Sequence, residues 1–182
     1  MSEPAVDLHR WTRAEYEQMA ASGLFEPGRR VELIDGFIFD MTPQSSFHAT
    51  AVHLAAAVLQ ASLPGVYLRI QSPLALGADS LPEPDVAAVP GSPRDYLESH
   101  PAAALLVVEV ADSSLPHDRQ RKLPLYAGAG IPETWILTRN ALEVYRQPEG
   151  AEYRSVRVLR RGDTVATLAN PDGLIAVADL LP

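Results

Sequence analysis

The chain has 182 residues, 47% hydrophobic and 21% charged, which fits one globular domain (1–182) with a full hydrophobic core. It contains no cysteine, so a disulfide framework, a thiolate metal site and a thiol nucleophile are excluded. Its net charge of −8 argues against a tight, nonspecific DNA binder, because phosphate contacts call for a basic footprint.

In chain order, Trp11-Thr12-Arg13-Ala14-Glu15-Tyr16 predicts a helix start. Thr12 is the N-cap, Glu15 closes a capping box, and Trp11 can staple against Tyr16. Gly23 ends that helix. Residues 31–39 predict a hairpin around a two-residue Asp35-Gly36 turn. In that register Glu32 faces Phe39 and Ile34 faces Phe37, so Glu32 shares an apolar face and needs a partner. The spacing of Phe47, Ala51, Leu54 and Val58 predicts a helix over 46–63. Short strands follow over 66–71 and 86–89. Residues 105–110 are apolar on both faces, as in a central strand. A helix over 116–129 comes next, stopped by Gly130 and Pro132. Pro124 inside it costs on the order of 3 kcal/mol and has no explanation at this level. Strands over 134–137, 142–146 and 153–159, with turns at 138–140 and 148–150, complete the pattern. The order predicts an α/β fold, a mixed sheet flanked by helices, with an N-terminal helix and hairpin.

The longest apolar stretches, 102–108 and 54–59, fall far short of the ~20 residues that span a membrane. The polar, acidic start is not that of a signal peptide, so a cytoplasmic protein is expected.

Four residues stand out for chemistry. Glu109 interrupts an otherwise apolar strand, where an isolated carboxylate costs several kcal/mol or stays protonated. The bland alternative is a structural Glu paired with an arginine. Asp85 sits in Pro82-Glu83-Pro84-Asp85-Val86, held extended by its prolines at the mouth of a strand. Alone it reads as a turn residue; beside Glu109 it is a second oxygen ligand for Mg²⁺. Lys122 is the only lysine among fifteen basic residues, so this position calls for a compact ammonium that a guanidinium cannot supply. The alternative is an i,i+4 surface pair with Asp118. His48, at a helix start, lies near these candidates but also reads as a capping or surface residue. His53, His100 and His117 show no ligand spacing, so zinc is not expected. Between Arg139 and Arg161 six arginines against three glutamates give +3, a local basic patch or a solvated strand surface.

The chain resembles the Uma-two family, described as restriction endonucleases within the PD-(D/E)XK superfamily. The resemblance rests on Trp11–Tyr16, Arg30–Gly36, Thr42-Pro43 with His48, and Gln71–Leu74. It continues through Pro84–Ala87, Val108–Leu115, Asp118, Lys122, Tyr126 and Gly130–Ile136. It implies that Asp85 and Glu109 bind Mg²⁺ or Mn²⁺ with the backbone carbonyl of Val110, and that Glu32 is a further acidic site residue. The superfamily places a lysine two residues after the second acid. Here Ala111 holds that position, and Lys122 takes over the role. The implied activity is Mg²⁺-dependent hydrolysis of DNA phosphodiesters, with a homodimer as an option. The competing readings are a nuclease-fold binding module without catalysis and a Mg²⁺-dependent hydrolase of a smaller phosphate ester.

Overall fold

Thr12 and Glu15 make the reciprocal capping box that starts α1 (Arg13–Ala21). Gly23, with φ 73°, follows its C-terminus. Trp11 does not staple Tyr16. It packs edge-on against His9, while the Tyr16 ring tilts against Phe25 and its hydroxyl donates to the Val31 carbonyl. The computed structural model describes residues 8–26, 28–112 and 114–182; Ser113, within the Glu109 motif, and the acidic start at 1–7 lie outside them.

β1 (Val31–Ile34) and β2 (Phe37–Asp40) pair with Glu32 opposite Phe39 and Ile34 opposite Phe37, the register expected from the turn. Both turn residues have positive φ, Asp35 at 50° and Gly36 at 77°. A Cβ on Gly36 would lie 2.6 Å from the Arg10 Cβ, so only glycine fits beneath the chain that enters α1.

After α2 (Ser46–Ser62) come β3 (Tyr67–Ile70), β4 (Val86–Val89) and β5 (Leu106–Val110). A helical segment follows in three parts: α3 (Leu115–His117), a π-turn (Asp118–Lys122) and α4 (Leu123–Gly128). β6 (Glu133–Leu137), β7 (Leu142–Glu149) and β8 (Glu152–Leu159) close a six-stranded mixed sheet of order β3-β4-β5-β6-β7-β8. Only β5 and β6 run parallel. β5 is buried throughout, as its apolar run requires.

The sheet has helices on both faces. Val86, Ala88, Leu106 and Val108 pack with Ala51, Ala55 and Leu59 of α2. The alternate residues Ala87 and Val107 pack with Tyr126 of α4 and Ile131. By that alternation Glu109 belongs to the α4 face, while Asp85 precedes β4 and lies at the end of the sheet.

Three features differ from the sequence pattern. The helix over 116–129 is not uniformly α, and the π-turn accounts for Pro124. The Leu123 N–H reaches back to the Asp118 carbonyl, five residues away, and this widened turn accommodates a proline that donates nothing and crowds the preceding turn. The turn expected at 148–150 falls one step later: Pro148 and Glu149 pair with Tyr153 and Glu152, leaving Gly150 and Ala151 as the loop. Finally, β9 (Thr164–Thr167), β10 (Asn170–Ala176) and α5 (Val177–Leu180) lie beyond the predicted elements. They bring Val165, Ile175, Val177 and Leu180 into the α2-side core. No helix among the described residues is long and apolar enough to cross a membrane.

Candidate active site

The β4–β5 ladder ends at the Val86–Val108 pair. Beyond it the strands separate, and the Asp85 side chain takes over as hydrogen-bond partner. Its Oδ2 accepts the Val110 N–H at 2.8 Å and lies 3.1 Å from His48 Nε2. Gln71 Nε2 donates to Oδ1 at 3.2 Å. This contact with Asp85 raises the pKa of His48. The Ala111 N–H turns the other way, to Leu137 on β6. The intervening Val110 therefore directs both its N–H and its carbonyl toward Asp85.

Glu109 is 3% exposed. Its Oε1 accepts the Tyr126 hydroxyl at 2.5 Å and lies 3.2 Å from Lys122 Nζ. Among the described residues Oε2 takes no hydrogen bond. Burial pushes the Glu109 carboxyl well above the usual range; Lys122 pulls it down, while Asp118 and Asp85 push it further up.

Lys122 is itself buried and also lies 3.2 Å from Glu32 Oε2. Burial alone would favour the neutral amine, but the carboxylates of Glu109, Glu32, Asp118 and Asp85 outweigh it and keep the ammonium. A surface pair with Asp118 is thus not its setting. Asp118 is buried too, and accepts from Ser114 Oγ at 2.7 Å. The π-turn advances more slowly around the axis than an α-turn, which helps Asp118, Lys122 and Tyr126, spaced four apart, stay in line.

Glu32 reaches the cluster from the hairpin. Oε2 also accepts the Glu83 N–H at 3.2 Å, and Oε1 lies 3.4 Å from His117 Nε2. The His117 ring packs edge-on against Phe39 at 5.0 Å. Burial raises the Glu32 carboxyl, but His117, Lys122 and the Glu83 N–H together bring it below its ordinary value.

These residues surround a cleft of ≈ 320 Å³. Its lining carries the carboxylates of Glu32, Asp40, Glu83, Asp85, Glu109 and Asp118 against two fixed cations, Arg30 and Lys122. Such a surface repels a phosphate by itself and suits a hard dication with oxygen donors. Among the described residues no three carboxylate or imidazole side chains form a ready-made ligand group. A magnesium ion held by two carboxylates, one carbonyl and waters requires none. The unpartnered Oε2 of Glu109 and the inward carbonyl of Val110 fit that donor set.

The Uma2 family model, described as "putative restriction endonuclease", matches residues 13–178. The chain belongs to this family. A comparison with curated proteins returned no match. Among solved structures the chain is similar to a putative nuclease of DUF820 from Anabaena variabilis ATCC 29413. The two share 15% identity, with 93% of this chain and 96% of that one covered and a TM-score of 0.73. The Uma2 chain therefore shares the mixed α/β fold of that protein.

The structure brings Asp85, Glu109, Val110, Lys122 and Glu32 to one cleft, with His48 beside them. The sequence pattern gives no chemical role to Gln71, Ser114, His117 or Tyr126, and offers Asp118 only as a surface partner of Lys122. His117 shows no ligand spacing, yet its partner is a glutamate on a distant hairpin. The i,i+4 run of Asp118, Lys122 and Tyr126 was the available signal. Three of the six arginines of the +3 segment are paired: Arg139 with Asp112 and Arg146 with buried Glu133, both outside the segment, and Arg154 with Glu149 and Glu152.

Proposed function

We propose that this Uma2 chain is a Mg²⁺- or Mn²⁺-dependent endonuclease that hydrolyses DNA phosphodiester bonds. One observation carries the reading: a buried lysine ammonium lies 3.2 Å from Glu109, a buried carboxylate whose second oxygen is unclaimed at an acidic cleft. Asp85, Glu109 and the Val110 carbonyl would hold the cation. When bound, it polarises the scissile phosphate and lowers the pKa of a coordinated water.

The chain's own groups supply the rest. Gln71, His48 and the Val110 N–H fix the Asp85 carboxylate. Glu32 and Glu109 hold the Lys122 ammonium between them, where it orients the attacking water or meets negative charge growing on the phosphate. His117 and the Glu83 N–H keep Glu32 ionised for that task.

The acidic lining also favours a second reading, a smaller phosphate ester as substrate, since it offers little basic surface to a long polyanion. Incubation of plasmid, single-stranded DNA and RNA with Mg²⁺ or Mn²⁺ tests the first reading, and a panel of small phosphate esters the second. Metal-dependent cleavage of DNA that Glu109→Ala abolishes is the expected result. DNA left intact while a small ester is hydrolysed would transfer the assignment to the second reading.

A further inference from the structure

Tyr126 is fully buried, and its hydroxyl has an ionisable partner. A phenol in this core needs an acceptor, and many backbone carbonyls would serve. Tyr153 shows that ordinary solution, donating to the Ile131 carbonyl at 2.9 Å beside Thr134. Tyr126 instead donates at 2.5 Å to Oε1 of Glu109, the oxygen that also faces Lys122. Both donors therefore face one oxygen, which leaves Oε2 of this cleft-lining carboxylate without a partner among the described residues.

We propose that Tyr126 is the positioning residue for Glu109, committing Oε1 so that Oε2 is presented to a divalent cation. The inference rests on the metal reading above and adds a specific source of preorganisation. Lys122 cannot do this alone, because it is shared with Glu32 at the same 3.2 Å and so is drawn toward the hairpin. The hydroxyl comes from α4, packed against the sheet on the side opposite α2, and its ring is fixed among Leu74, Ala87, Val107 and Ile131. A rigid donor on a packed ring sets the carboxylate plane more firmly than a flexible ammonium does.

The test is Mn²⁺ titration by calorimetry on wild type, Asp85→Ala, Tyr126→Phe and Tyr153→Phe, with a thermal melt of each metal-free protein. Tyr126→Phe should bind Mn²⁺ ~10–100-fold more weakly, the usual effect of removing a group that orients a ligand. Tyr153→Phe also loses a phenol hydroxyl and should melt lower, but keep wild-type Mn²⁺ affinity. Wild-type affinity in Tyr126→Phe, with binding lost in Asp85→Ala, would overturn this inference and leave the metal reading standing. No Mn²⁺ binding by the wild type would overturn both. If Tyr126→Phe does not fold, 3-fluorotyrosine placed singly at 126 or at 153 gives a fluorine resonance for each site. Mg²⁺ should move the resonance at 126 and not that at 153; an unmoved signal at 126 would equally refute the role.

Discussion

Glu109 and Glu133 stand on adjacent strands of the sheet, and both are almost wholly removed from solvent, at 3% and 0% exposure. Their surroundings differ completely. Glu133 is saturated: Arg146 donates to Oε1 through Nε at 2.9 Å and Nη2 at 2.6 Å, Trp135 Nε1 adds a third bond at 2.8 Å, and the Leu168 N–H takes Oε2 at 2.7 Å. Among the described residues Glu109 has donors on one oxygen only, and it opens onto a cleft crowded with other carboxylates. The first is a structural knot that ties the β9 end to the sheet; the second leaves an oxygen for the cation proposed above. Burial of a carboxylate therefore does not mark a site by itself. Incomplete satisfaction at a cavity is what sets Glu109 apart.

The largest test of that contrast is loss of the cleft carboxylates. Glu109→Ala or Asp85→Ala should reduce metal-dependent cleavage to the metal-free background. Both should also abolish the Mn²⁺-induced rise in melting temperature, which at ~100 times the dissociation constant corresponds to about 2.7 kcal/mol. Cation stabilisation retained in a protein carrying both Asp85→Ala and Glu109→Ala would make Glu109 no more a ligand than Glu133.

The reverse experiment removes the saturated partner. Glu133→Ala leaves the Arg146 guanidinium, 21% exposed, without its carboxylate, and should cost about 3–5 kcal/mol. At roughly 2–4 °C per kcal/mol for a chain this size, calorimetry resolves it easily. Mn²⁺ affinity should be unchanged in whatever fraction stays folded.

Glu133 is served by an arginine and Glu109 by a lysine. If a compact ammonium is required, Lys122→Arg should lose ~10²–10³-fold in turnover, nearly as much as Lys122→Ala, while circular dichroism shows both folded. An active arginine variant would mean that any cation suffices at Glu109, as at Glu133.

The smallest effect concerns phenols away from the cleft. Burial pushes Tyr153 from 10.0 up to about 12, although its Thr134 bond pulls the other way. In that window the folded chain holds a proton that the unfolded chain has released, so stability falls as pH rises from 10.0 to about 12. Denaturant melts across this range should show a shallower decline in Tyr153→Phe than in wild type. Equal slopes would mean that other groups govern the alkaline limb.

The sequence by itself determined the features that depend on near neighbours. The Thr12–Glu15 capping box, the Asp35-Gly36 hairpin with Glu32 across from Phe39, and the buried strand that carries Glu109 follow from turn chemistry and periodicity. The family pattern added Asp85 and Lys122 as companions of Glu109, and all three line one cleft. Only the tertiary structure decided what completes that cleft. His117 against Glu32, Tyr126 against Glu109 and Gln71 against Asp85 join residues whose spacing along the chain carries no period. They meet because β4 and β5 part at one end of the sheet and the hairpin brings Glu32 to that opening. The π-turn and the β9–β10 hairpin were illegible for a related reason. A widened turn around Pro124 and a hairpin that completes the α2-side core gain their stability from packing against distant strands, which local propensity does not encode.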